Sequence, residues 1–270
     1  MYKKPQKVLS KFQTKFAAFV IPASFVIAML VYFFIMGSPS NFQGNDSDNL
    51  PLQGNFLGII FKGGYIVPIL MALLIIVLTY SLERYYTIRK AHGNLSPVKF
   101  VIRLDEYLEV GDIQGAKDEC DSVQGSVANV AKATLDKYQQ METEEGMTKE
   151  QKIMDIEKCI EEATSLELPS LEENLPILAT ITPLATLMGL LGTVLGMIRS
   201  FAAMANAGAP DSVALATGIS EALVNTAFGI GSAAIAMVSY SYFTTRIDKL
   251  TYAIDEAGYS IAKTFAARHK

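Results

Sequence analysis

Apolar positions fall along this chain in four blocks: Phe16–Met36, Tyr65–Leu82, Leu175–Met204 and Val213–Phe243. At a helical rise of about 1.5 Å per residue, each block is long enough to cross a hydrocarbon layer of about 30 Å. Between the second and third blocks the pattern changes. Val101, Leu104 and Leu108, then Ile113 and Ala116, recur at helical spacing across Gly111-Asp112. Val127, Val130, Ala131, Leu135 and Tyr138 repeat it, and Ile153, Ile156, Ile160 and Ala163 open a third stretch that is expected to continue unbroken into the third block. The predicted class is all-α: a polytopic helical membrane protein whose long transmembrane helices extend into a helical cytoplasmic domain.

The last two blocks carry polar stripes. In the first of them Thr182, Thr186, Gly189, Thr193, Gly196 and Ser200 share a face. In the second, Gly218, Glu221, Asn225, Gly229, Ser232, Ala236 and Ser239 do, with Thr226 at the margin. A helix in lipid turns apolar groups outward and hides polar ones, so two such stripes predict either a tight helix contact or a lined pore. Glu221 is the one carboxylate in either stripe.

The intervening turn, 205–212, is centred near position 208 or 209. In an antiparallel hairpin, residues equidistant from that centre lie at one depth. Thr193 with Glu221 is centred on 207 and Thr193 with Thr226 on 209.5, which places all three within about one turn of a common level.

Half of the 270 residues are hydrophobic, which fits a membrane protein rather than a soluble two-domain one. The slightly negative net charge, −4, gives no general attraction to nucleic acid. Cys120 and Cys159 form no metal-type spacing, and no disulfide is expected. A phosphate-cradling glycine loop, HExxH, CxxC and Gly-x-Ser-x-Gly are all absent from the sequence. No catalytic residue, cofactor or metal is therefore expected. His92 and His269 sit in basic flanking sequence and read as surface residues.

Basic residues set the orientation. Residues 1–15 hold five lysines and no acid (a basic cytoplasmic amino terminus), and the first block, 16–36, reads as an uncleaved anchor rather than a cleaved signal. The periplasmic linker 37–64 has only Lys62, and its Asn45–Asn49 run lacks the glycine and glutamate of a calcium loop. A span at 65–82 ends in the interfacial cluster Glu83-Arg84-Tyr85-Tyr86, and Arg84, Arg89, Lys90, Lys99 and Arg103 open the cytoplasmic helical domain, 83–172, whose acidic excess reads as a solvated face. Spans at 173–205 and 213–243 flank a periplasmic turn, 206–212, and a cytoplasmic helix, 244–270, closes the chain. Both termini are thus expected inside. Pro169, Pro176 and Pro183, seven apart, predict bending where the third span enters lipid. Arg199, near the outer end of that span, is expected to snorkel or to pair with Asp211.

Two segments then become familiar. Met188-Gly-Leu-Leu-Gly-Thr-Val-Leu-Gly-Met197, with Ser200-Phe201, resembles the GLxGTVxG-x-x-x-SF signature of the MotA/TolQ/ExbB proton channel family. Gly218-Ile-Ser-Glu-Ala-Leu-Val-Asn-Thr-Ala-Phe-Gly229 resembles its GIxEALxxTAxGL segment. The likeness runs over roughly 65–265 and is nearer to ExbB and TolQ than to flagellar MotA. Two departures stand out: Ala185-Thr186 where the family has Ala-Pro, with the proline at Pro183, and an additional first span.

The resemblance implies a bacterial inner-membrane, proton-driven motor subunit. It further implies a homopentameric pore around an ExbD- or TolR-like single-span partner with a membrane aspartate, energising TonB-dependent outer-membrane transport through a TonB-like protein. A TolQ-like role, a gliding or secretion motor, and a non-conducting scaffold are the alternatives. Carried over by position, Thr193, Glu221 and Thr226 line the proton pathway, with Asn225, Thr186, Thr182 and Ser200 beside them. Gly189, Gly192, Gly196 and Gly229 are expected in helix packing, since small residues let helices in lipid approach closely.

Overall fold

The structure, a computed structural model, describes residues 6–205 and 212–268, with side chains from residue 18 onward. The lysines of 1–15, most of the 206–212 turn with Asp211, and His269 were singled out above and lie outside the described side chains. Every long element is helical: α1 Gln6–Leu30, α2 Phe56–Phe61, α3 Val67–His92, α4 Pro97–Val110, α5 Ile113–Val123, α6 Ser126–Thr143, α7 Lys149–Glu172, α8 Leu175–Ala205 and α9 Ser212–Arg268. Among the described residues, four helical stretches are long and apolar enough to cross a membrane. The chain divides into two compact units, Met1–Leu82 with Pro176–Tyr240, and Glu83–Leu175 with Ser241–Lys270.

In the first unit α1 passes into a turn of π-helix, Val31–Met36. Ala28, Tyr32 and Met36, four apart and hence on one face, pack against Val67, Met71 and Ala72 of α3. Phe33, Phe34 and Ile35 remain exposed. The linker after it is shaped by local contacts. The buried Asn41 donates to the carbonyls of Ile35 at 2.8 Å and Met36 at 3.0 Å, satisfying the end of the helix. Asn55 caps α2 by accepting from the N–H groups of Leu57 and Gly58. Phe42 is buried, pairs with Pro51 in an antiparallel bridge and meets Phe61 edge-on. Local side-chain caps, not apolar periodicity, give this segment its shape.

The second unit buries the stripes of α4, α5 and α6 just as their spacing implied, with Leu104, Leu135 and Tyr138 fully enclosed. α4 stops at Gly111, whose φ of +87° suits glycine, and Asp112 caps α5 by accepting from Gly115 N–H at 2.8 Å. The tail of α9 contributes Ile247, Leu250, Ile254, Ala257, Ile261 and Phe265, an apolar stripe that closes the core against Tyr138. Arg268 donates to the carbonyls of Leu108 at 3.0 Å and Glu109 at 2.9 Å, capping α4.

The expected unbroken passage from α7 into α8 does not occur. The helix stops at Glu172, and Asn174 takes a left-handed φ of +63°. Pro176, which has no N–H to donate, then takes the second position of α8, where the backbone N–H would have no partner within the helix. The carbonyls of Ser170 and Leu171 at the end of α7 receive hydrogen bonds from Arg84, which is fully buried and also paired with Glu83. Arg84, expected at a membrane surface, thus serves as a helix cap.

Burial pushes the Cys120 thiol up to about 12, and the neighbouring Asp121 carboxylate adds to the effect. Because the thiolate is the reactive form and a free cysteine ionises near about 8.5, Cys120 should resist a thiol reagent at pH 8. Peptide mapping is expected to show label on Cys120 only after denaturation; rapid native labelling would mean that the α5–α6 pair opens.

Candidate functional site

The hairpin of α8 and α9 is held by its small residues. A Cβ on Gly229 would lie 2.7 Å from the Ala185 carbonyl oxygen and from Gly189 Cα, and one on Gly196 would lie 2.7 Å from the Gly218 carbonyl. Gly192 leaves room for the side chain of Asn225, 2.4 Å from where its own Cβ would stand. The two backbones therefore touch at Gly189–Gly229 and at Gly196–Ala222, pairs that share the midpoint 209. That register matches the one expected from the position of the turn.

Thr193 and Thr226 meet across this seam, hydroxyl to hydroxyl. Thr226 also donates to the Ala222 carbonyl at 3.0 Å, and Thr193 lies 3.1 Å from the Gly189 carbonyl and 3.4 Å from that of Ala222. Both residues are half-buried. Hydroxyls donate or accept as needed, which lets the pair serve either protonation state of an incoming group. Further along α8, Thr182 is half-buried and Thr186 exposed, each bonded back to its own helix.

The rest of the stripe turns into the chain itself. Glu221 is 4% exposed. Both of its carboxylate oxygens accept from Nη1 of Arg199, at 2.6 and 2.8 Å, and the Arg199 guanidinium lies over the Tyr65 ring. Asn225, fully buried, donates to the Gly63 carbonyl at 2.9 Å. Ser200, also buried, donates to the Leu215 carbonyl at 3.2 Å. Glu221, Asn225 and Ser200 are thus buried against the chain's own helices. Glu221 is moreover not the unpaired acid that the stripe implied. An unpaired carboxylate inside a membrane is costly, and the guanidinium offsets that cost.

Arg199 thus has a partner, Glu221, that was not among the two outcomes expected for it, and Asp211 lies outside the described residues. The signal was available: Arg199 and Glu221 share the midpoint 210, close to that of the threonines. The contribution of Tyr32, Gly63 and Gly64 had no such signal, because they stand far away in sequence and belong to no motif.

With this geometry established, comparison with known proteins is informative. Residues 124–256 match the MotA/TolQ/ExbB proton channel family. A putative biopolymer transport protein ExbB homolog of Methanothermobacter thermautotrophicus is 30% identical over 199 residues, 72% of this chain and 66% of the relative. The Tol-Pal system protein TolQ of Pseudomonas aeruginosa is 29% identical over 124 residues, 46% of this chain and 54% of the relative. TolQ of Haemophilus influenzae is 31% identical over 88 residues, 33% of this chain and 39% of its own length. The chain therefore spans just under two thirds of the first of these relatives and less of the other two. Both hairpin motifs of this helical protein with four apolar helices lie inside the stretch that matches the MotA/TolQ/ExbB proton channel family.

Proposed function

We propose that this chain is an ExbB-like subunit of an inner-membrane motor driven by the proton-motive force. Five copies surround a pore that holds the single-span helices of an ExbD-like partner, and the work reaches the outer membrane through a TonB-like protein. The observation that carries the reading is the Thr193–Thr226 hydroxyl pair, set on the seam of the hairpin and borne by two half-buried residues. A partner aspartate entering a mostly dry pore needs either protonation or hydroxyl partners, because an isolated buried charge is expensive. The pair supplies those partners, with Thr182 and Thr186 continuing the polar path along α8. Glu221, held by Arg199, contributes a fixed structural pair, and the titrating acid is supplied by the partner. Each proton crossing releases about 2.3 kcal/mol per 100 mV, so several crossings suffice to move a helix against its packing. The TolQ relatives favour a second reading, a Tol-type role in envelope constriction.

Co-purification with a short single-span protein that carries a membrane aspartate tests the assembly. Native mass spectrometry is expected to count five of these chains around a smaller number of partners. Proton flux in liposomes by this chain alone would overturn the assignment of the titrating acid to the partner. A neighbouring TonB-like gene, as against Tol-Pal genes, separates the two roles.

A further inference from the structure

The Phe61–Gly64 turn before α3 is gripped from two sides. From the first helix, the Tyr32 hydroxyl lies 2.8 Å from the Phe61 carbonyl and 3.1 Å from that of Gly64, and its ring stacks on Phe61 with centroids 4.8 Å apart. From α9, Asn225 donates to the Gly63 carbonyl. Gly64 itself forms a wall of the Glu221 seat. A Cβ there would stand 2.2 Å from Glu221 Oε1 and 3.2 Å from Arg199 Nη1, and its φ of +77° is one that glycine adopts readily. Arg199, half-exposed, closes the seat on its remaining side.

We infer that Tyr32 and Arg199 are positioning residues for Glu221. Tyr32 fixes the turn, the turn walls the carboxylate, and Arg199 holds it from the open side. The additional first helix is then part of the site rather than an accessory anchor, because the buried Tyr32 hydroxyl sets the wall against which the acid rests. The consequence for proton-driven work rests on the function proposed above; the positioning itself belongs to this chain alone.

The test uses the full chain in lipid nanodiscs, with dicyclohexylcarbodiimide as a probe that couples to membrane carboxyls, read at Glu221 by peptide mass spectrometry. Labelling of the unaltered chain is expected to be slow. Tyr32→Phe keeps the ring and loses the hydroxyl, and should label about fivefold faster, as loss of one ordinary hydrogen bond implies. Arg199→Gln should label about tenfold faster or more, since a charge-assisted bond is stronger, and Arg199→Lys, which keeps the cation, should stay near the unaltered rate. An unchanged rate in Tyr32→Phe overturns the inference. So does a rise shared equally by Glu256 and the other carboxylates of the second unit, which would report general loosening. In the complex with the single-span partner, Tyr32→Phe should slow proton-driven work by a similar factor. If the unaltered complex performs none, the motor reading fails while the labelling result stands.

Discussion

Replacing Thr193 by Val leaves the chain folded and assembled and abolishes proton-driven work. The two side chains have nearly the same shape, and the hydroxyl that is lost shares acceptors with Thr226, which keeps its own bond to the Ala222 carbonyl. The cost in stability should therefore be about 1 kcal/mol, that of one neutral hydrogen bond. The cost in function is larger, because a half-buried methyl replaces the group that would receive a proton-bearing aspartate. Proteoliposomes holding this chain and its single-span partner provide the measurement. Thr193→Val should reduce partner-dependent proton flux to background while native mass spectrometry shows an unchanged assembly, and Thr193→Ser should retain flux. Full flux in the valine variant would end the polar-pore reading.

Gly229→Ala and Gly231→Ala make the same chemical change two residues apart on α9 and should have opposite results. At Gly229 the added methyl meets the Ala185 carbonyl oxygen and Gly189 Cα at 2.7 Å. Those are backbone atoms, which yield only if the two helices separate. Overpacking of this kind costs about 1–3 kcal/mol, and here it also strains the seam that aligns Thr193 with Thr226. At Gly231 no described atom lies within 4 Å of the added methyl, so the substitution should be neutral or slightly stabilising. Thermal unfolding in detergent, followed by helix content, is expected to show a lower midpoint for Gly229→Ala alone. Equal midpoints would mean that the close approach of α8 and α9 contributes nothing.

Much of this hairpin was legible in the chain itself. The small residues recur at helical spacing and the turn fixes a midpoint near 209, so a common depth for Thr193 and Thr226 followed from numbering and the rise of a helix. The stripes of α4 to α6 were legible for the same reason, since their apolar spacing is a local property. The break at Glu173-Asn174 was not, because Pro169, Pro176 and Pro183 announced a disturbance without saying which carbonyls a distant Arg84 would satisfy. The caps within the linker were not legible either, because Asn41 and Asn55 look like solvated polar residues until the carbonyls and N–H groups they cap are in place.

The direction in which Glu221 faces is the clearest case. Its stripe on α9 announced a shielded surface, and periodicity alone allowed a pore or a helix contact equally. In the folded chain that stripe is enclosed, with Arg199 on the carboxylate, Gly63 on Asn225 and Gly64 beside both.

From residues alone came the class, the number of apolar helices, the hairpin register and the family resemblance, because hydrophobic spacing and short motifs are written within a few turns of helix. Tertiary structure alone decided which polar groups are paired, which face is sealed and that the first helix reaches the Glu221 seat. Those outcomes depend on hydrogen-bond partners as much as 162 residues apart, as Gly63 and Asn225 are, and no local spacing encodes a contact at that distance.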